Sequence, residues 1–455
     1  MSHAAPSSAA SPGTGLLRRE LGTFGAMMMG LGSIIGTGVF VSIGIAAGVA
    51  GPSVILAIAI AAAVALCNAL SSAQLAASHP TSGGTYEYGY VYLTPWLGFS
   101  AGWMFLCAKS ASAATAALGF AGYLLVLGES NSEQWRVVLA FIAVIALVGV
   151  VLAGLRRSNM TNVVIVAVTM ASLLFFVLAG LPIAMRSTGE NLWPFFQSAN
   201  GDDRHALARL MEASALMFVA YTGYGRIATM SEEVRSPRRT IPRAIVLTMI
   251  VSMTLYVAVA AVGVCAVGAA EFGSIGAEPA APLATVASRF AVPGAATILS
   301  IGAITAMLGV LLNLILGLSR VLLAMGRRSD APRIFAKLNA HGTTPSPAVV
   351  MVGVLILLLV SFGSIKLAWS FSAFTVLVYY AITNLAAIRL PKEHRLYSPV
   401  FAWCGLIACL GLAFWVEYRI WIAGLLLLLA GLAARAIMQR MQRPLLREKG
   451  SSHGR

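Results

Sequence analysis

Gly32-Ser33-Ile34-Ile35-Gly36-Thr37-Gly38-Val39-Phe40 lies inside the first long apolar segment of the chain, near the depth of a bilayer midplane. Three glycines and two hydroxyl residues are poor material for an unbroken membrane helix. Each glycine costs roughly 1 kcal/mol relative to alanine in a helix interior. Glycine also lets the backbone leave helical geometry and lets another atom approach closely. In lipid, a broken helix survives only where its freed N–H and C=O groups line a protein-enclosed cavity. One half-helix then points N–H groups at an anion, and the other points carbonyls at a cation. A zwitterion carries both charges. A plain small-residue packing face between helices explains the same glycines, and both readings stay open.

The rest of the chain is membrane-like. Of 455 residues, 59% are hydrophobic and 10% charged, a balance foreign to soluble globular proteins. About twelve apolar runs approach the ~20 residues needed to cross a bilayer as helix. They fall at roughly 24–46, 53–76, 92–125, 136–154, 160–185, 206–231, 243–268, 294–325, 347–363, 367–389, 398–416 and 419–439. The fold class expected is an all-α polytopic membrane protein. The net charge of +15 does not point to nucleic acid, because its distribution is that of a membrane topology. With the N-terminus inside, connections on the inner side hold Arg and Lys over the outer side by about three to one. Both termini are therefore expected in the cytoplasm. The five cysteines all fall in apolar segments and read as small hydrophobes, with no zinc-like spacing and no metal or cofactor expected.

Residues 1–20 are expected as a disordered cytoplasmic start with no signal peptide, and 441–455 as a basic tail against anionic lipid headgroups. A second interruption, Met217-Phe218-Val219-Ala220-Tyr221-Thr222-Gly223-Tyr224-Gly225-Arg226, breaks the sixth apolar run. Paired interruptions in corresponding places of two halves are the best sequence pointer to a transport site. They imply inverted five-plus-five repeats at 21–185 and 206–390, with two further helices over 391–440. The charged, proline-containing run Glu232–Arg243 is expected as a cytoplasmic loop, and 186–205 as an outer connection.

Three stretches together resemble the amino acid–polyamine–organocation (APC) superfamily of permeases. They are the nine-residue motif above, Phe218–Tyr224 running into Glu232–Arg243, and Ser319–Arg327 at the end of the eighth run. The resemblance spans about residues 20–440 and implies the leucine-transporter fold, a small-molecule substrate that is an amino acid or related amine, and alternating access. It implies that Ile34, Ile35, Gly36, Thr37 and Gly38 hold the substrate carboxylate by backbone N–H. Carbonyls around Phe218, Ala220 and Tyr221, at the Gly223 break, would hold its amine, with Phe218 or Tyr221 closing over it. Many proton-coupled relatives carry a Lys mid-way along the fifth run; Thr169 stands at the matching place here. The acidic residue common after the aromatic of the sixth run is replaced by Gly225-Arg226, and the Arg-Asp-Gly end of the eighth by Arg327-Arg328-Ser329-Asp330.

Lys109, mid-way along the third run, takes the place of the missing charge. A lysine there costs ~3 kcal/mol or more unless paired or hydrated. Three roles stay open: proton carrier, with Glu212 a possible partner in coupling; ligand for an acidic group on the substrate; or a structural lysine paired with a carboxylate or helix carbonyls. Asn313, a lone amide in the eighth run, is a weaker coupling candidate that more commonly bridges helices. Proton coupling or exchange is expected, with sodium coupling of an amino acid or polyamine as the alternative and a non-transporting sensor more remote. An enzyme needs a clustered catalytic set, whereas the six histidines fall in tails and connections. A channel needs a filter or charged ring, and neither is evident. The plasma (inner) membrane is the expected location; the oligomeric state is not encoded in these patterns.

Overall fold

The computed structural model describes residues 22–79, 83–130, 132–154, 159–197, 203–229, 234–277, 281–339 and 344–451. The expectations for residues 1–20 and for Glu232 and Glu233 lie outside them. Among the described residues the chain is helical, with no strand.

The nine-residue motif is a break. Helix α1 (Thr23–Ile34) ends where Ile35 turns extended, at φ −79° and ψ 105°, its N–H still bonded to the Leu31 carbonyl. The chain re-enters through a wide π turn, Gly38–Ser42, into α2 (Ile43–Ala50). Next come α3 (Val54–Ser78), a short α4 (Thr85–Tyr92), α5 (Pro95–Leu127), α6 (Glu133–Leu152) and α7 (Asn159–Asn191). The sixth run is also broken. Helix α8 (Ala206–Tyr221) gives way to a 3-10 turn, Thr222–Tyr224, and resumes as α9 (Gly225–Thr229). Then follow α10 (Pro237–Val267), α11 (Ala269–Ala277), α12 (Pro282–Ala287), α13 (Ala295–Arg327), α14 (Ser346–Val360), α15 (Ile365–Arg389), α16 (Pro399–Ala413) and α17 (Tyr418–Ser451).

Among the described residues eight stretches are long and apolar enough to cross a membrane, counting Thr23–Ser78 as one; α14 and α16 are shorter apolar helices. Burial sorts them. The most apolar windows of α5 and α15 are 72% and 78% buried, against 28% for α6 and 22% for α17, so the former pair forms the centre and the latter face lipid. Helix α5 packs on α15 and α13, and α8 packs on α2, α3 and α15.

Two expectations on connections are corrected. The run expected as a loop through Arg243 is helical from Pro237, because proline at the first helical position lacks only an N–H that has no helical acceptor there. The outer connection expected from 186 begins only after Asn191, where α7 ends. At the other face, α4 is clamped by a buried charge. Asp330 accepts from Arg435 Nε at 2.8 Å, from the Tyr86 hydroxyl at 2.9 Å and from the Tyr90 hydroxyl. Arg435 also donates to Tyr90 at 2.8 Å, and Arg328 pairs with Glu87. The clamp ties α4 to the end of α13 and to α17.

Candidate functional site

The two breaks touch each other through glycines. A Cβ on Gly223 would collide with the Ser33 carbonyl and the Ile34 nitrogen, and one on Gly38 would sit 2.5 Å from the Ala220 Cβ. Gly36 faces α13, where a Cβ would meet Val310 Cγ2 at 2.6 Å. Break and packing face are therefore one feature: the glycines permit the irregular backbone and also let the two irregular segments abut.

Breaking a helix frees polar groups that must be paired when buried. Some of the carbonyls at and beside the breaks are met by side chains. The Tyr256 hydroxyl donates to the Ile34 carbonyl at 2.8 Å and lies 3.5 Å from that of Ala220. The Tyr380 hydroxyl donates to the Thr222 carbonyl at 3.2 Å, and Trp369 Nε1 to that of Leu216 at 2.9 Å. Thr222 Oγ1 donates to the Val219 carbonyl at 2.7 Å. The N–H groups are not met in the same way. Among the described residues nothing accepts from the N–H of Gly36 or Thr37. The Thr37 hydroxyl is buried and also without a partner. The first break thus keeps donor capacity at Gly36 and Thr37, which suits an anion.

A cavity of about 40 Å³ lies at this point. The first break contributes Ser33, Ile34, Thr37 and Gly38, and the second Val219, Ala220, Thr222 and Gly223. Lys109 and Ser112 of α5, Val310 and Leu314 of α13, and Trp369 of α15 complete the wall. A wider cavity of about 110 Å³ shares Ser33, Lys109, Thr222, Gly223, Val310 and Leu314 with it. It continues past Asn313, Tyr379 and Tyr380 to Gly83, Arg226 and Arg320. Lys109 stands on the boundary between the two, only 8% exposed, with Nζ donating to Thr222 Oγ1 at 2.6 Å.

Of the residues singled out in the sequence, Ile34, Thr37, Gly38, Lys109, Ala220 and Gly223 line the small cavity, and Asn313 lines the wide one. Ile35 and Gly36 sit in the break just outside the wall. Phe218 and Tyr221 line neither cavity in this conformation: Phe218 packs edge-on against Tyr380 and Tyr221 against Tyr256. Thr169 is buried in α7, bonded to the Ile165 carbonyl at 2.7 Å, away from both cavities. Glu212 is not the partner of Lys109; it pairs with Arg204 at 2.6 Å, near the start of its own helix. Sequence reasoning missed Thr222, although it lies in the second interrupted motif, and it missed Trp369, Val310 and Tyr256, which only tertiary packing brings in. From α7 it is Asn162, not Thr169, that reaches the first broken run, donating to the Met28 carbonyl at 2.9 Å.

The profile of the amino acid permease family matches residues 25–445. An uncharacterized transporter of Mycobacterium tuberculosis is 38% identical over 94% of this chain and 93% of its own length. The branched-chain amino acid permease of Bacillus subtilis is 27% identical over 89% of this chain and 88% of its own. The methylthioribose transporter of the same organism is 26% identical over 90% and 92%. A match of this extent, over a helical membrane fold whose two broken helices meet at a cavity, makes the chain a member of the amino acid permease family of the APC superfamily, a transporter and not an enzyme.

Proposed function

We propose that this permease is a secondary active transporter of an amino acid or related amine in the cytoplasmic membrane, working by alternating access at the paired breaks. The observation that carries the reading is the buried, unpartnered Thr37 hydroxyl on a cavity shared by both broken helices, with the unaccepted N–H groups of Gly36 and Thr37 in the break beside it. In this reading the substrate's α-carboxylate lies on those N–H groups and on the Thr37 hydroxyl. Its amine meets the carbonyl side of the breaks, around Ile34 and Ala220, where the Tyr256 hydroxyl now sits.

Reading Thr23–Ser78 as two crossings and adding the broken α8–α9 and the shorter α14 and α16 supports twelve crossings. The contact of the two breaks supports inverted repeats over 21–185 and 206–390. With charge asymmetry placing both termini inside, the wide cavity opens towards the cytoplasm, since Arg226 and Arg320 stand at that end. Proton coupling or exchange is favoured over sodium coupling. A sodium ion needs several oxygen ligands, whereas the α13 wall against Gly36 presents the Val310 side chain, with the Ala306 carbonyl behind it.

The test is purified protein in liposomes with labelled amino acids and with proton and sodium gradients imposed separately. Uptake by exchange or driven by the proton gradient is the expected result. Accumulation driven by sodium alone would overturn the coupling assignment, and no movement of any amino acid would overturn the function.

A further inference from the structure

Resting on the permease reading above, we propose that the substrate is an amino acid whose side chain bears a second acid group, and that Lys109 is the ligand of that group. The lysine ammonium has three hydrogens to donate. Among the described residues it makes one hydrogen bond, to a Thr222 hydroxyl that is itself already donating to Val219. No described carboxylate forms an ion pair with it. The acidic residues of the neighbouring elements are engaged elsewhere: Glu212 with Arg204, Glu87 with Arg328, Asp330 with Arg435. A cation this buried, inside a membrane-spanning helix, requires an anion or water beside it.

The substrate's α-carboxylate does not fill that need, because the free N–H groups and hydroxyl of the first break already provide for it. Lys109 enters the same small cavity from α5, a different helix. Two separate donor sets on one cavity match two separate acid groups. Among the described residues no aspartate or glutamate lines either cavity, while Lys109 lines both. A neutral side chain would leave the Lys109 charge uncompensated.

Counterflow in proteoliposomes decides this, with labelled L-glutamate, L-aspartate, L-leucine and L-lysine as probes. Wild-type protein should take up glutamate or aspartate, and a hundredfold excess of leucine or lysine should change that uptake less than twofold. Lys109→Met should cut acidic uptake at least tenfold, and Lys109→Arg should keep part of it. Uptake of leucine or lysine that glutamate and aspartate do not compete overturns the acidic class while leaving the permease reading standing. Unchanged glutamate uptake by Lys109→Met, with a wild-type melting temperature, overturns the role of Lys109. If Lys109→Met does not fold, the competition panel on wild type still decides the class. Movement of other amino acids but not of glutamate or aspartate overturns the acidic class alone, whereas failure of monodisperse wild-type protein to move any amino acid removes the permease reading itself.

Discussion

Thr37 separates binding from folding. Its hydroxyl is buried with no protein partner, so removing it relieves the fold of an unsatisfied group. Thr37→Val should leave the melting temperature unchanged or raised, while substrate affinity falls about tenfold, the loss of one hydrogen bond of about 1 kcal/mol or a little more. Binding and thermal unfolding measured on the same preparation check both signs; an affinity equal to wild type would remove Thr37 from the site. Gly223 behaves oppositely. Its missing Cβ leaves room for the backbone of Ser33 and Ile34, so Gly223→Ala should destabilise by about 1–3 kcal/mol through overpacking and abolish transport, read by unfolding and uptake together. These residues also mark what the sequence disclosed. Glycines and hydroxyls at bilayer depth point to a break or a close packing face, and here they make both. Val310 and Trp369 carry no such mark, since valine and tryptophan suit a lipid-facing position equally well and only the packing of α13 and α15 aims them inward.

At the scale of elements, the clamp on α4 has a calculable weight. Asp330 and Arg435 are both buried, and removing one partner of such a pair costs about 3–5 kcal/mol. The Tyr86 and Tyr90 hydroxyls are pushed up from their ordinary range by burial and by Asp330, so they remain donors at physiological pH. Asp330→Asn should therefore lower the melting temperature clearly. Glu271→Gln, which opens the exposed pair with Arg289, should cost about 0–1 kcal/mol. Equal effects in a thermal-shift assay would deny the clamp its role. The existence of the long helices was legible from apolar run length, as were both interruptions. Helix α4 was not: Thr85-Tyr86-Glu87-Tyr88-Gly89 has the composition of a loop, and what orders it is the distant Asp330 and Arg435. The helical start at Pro237 was hidden by the charge density around it.

For the whole molecule, the charge asymmetry predicts one orientation. In a background lacking Cys67, Cys107, Cys265, Cys404 and Cys409, single cysteines placed in 231–243 or 327–345 should resist an impermeant thiol reagent on intact cells. Those placed in 192–205 should react. Labelling of 231–243 from outside would invert the topology and, with it, the side to which the wide cavity opens. The family was legible at this scale, because three motifs in order along some 400 residues constrain far more than any one of them. The partner of Lys109 was not, since helices that share no sequence neighbourhood meet at that cavity.

The glycine contacts between the breaks also bear on how a permease of this design changes its diet over evolutionary time. At Gly38 and Gly223 the neighbouring backbone leaves no room for even a methyl group, so mutation has almost no freedom there. On the function proposed above, the backbone cradle for the part common to all amino acids is in effect frozen. Novelty must enter through Lys109, Val310, Leu314 and Trp369, whose side chains finish the wall from helices outside the breaks. A lineage of such proteins would then drift from one side-chain chemistry to another by single changes on α5, α13 and α15, without ever reopening the question of how the amino acid's backbone is gripped.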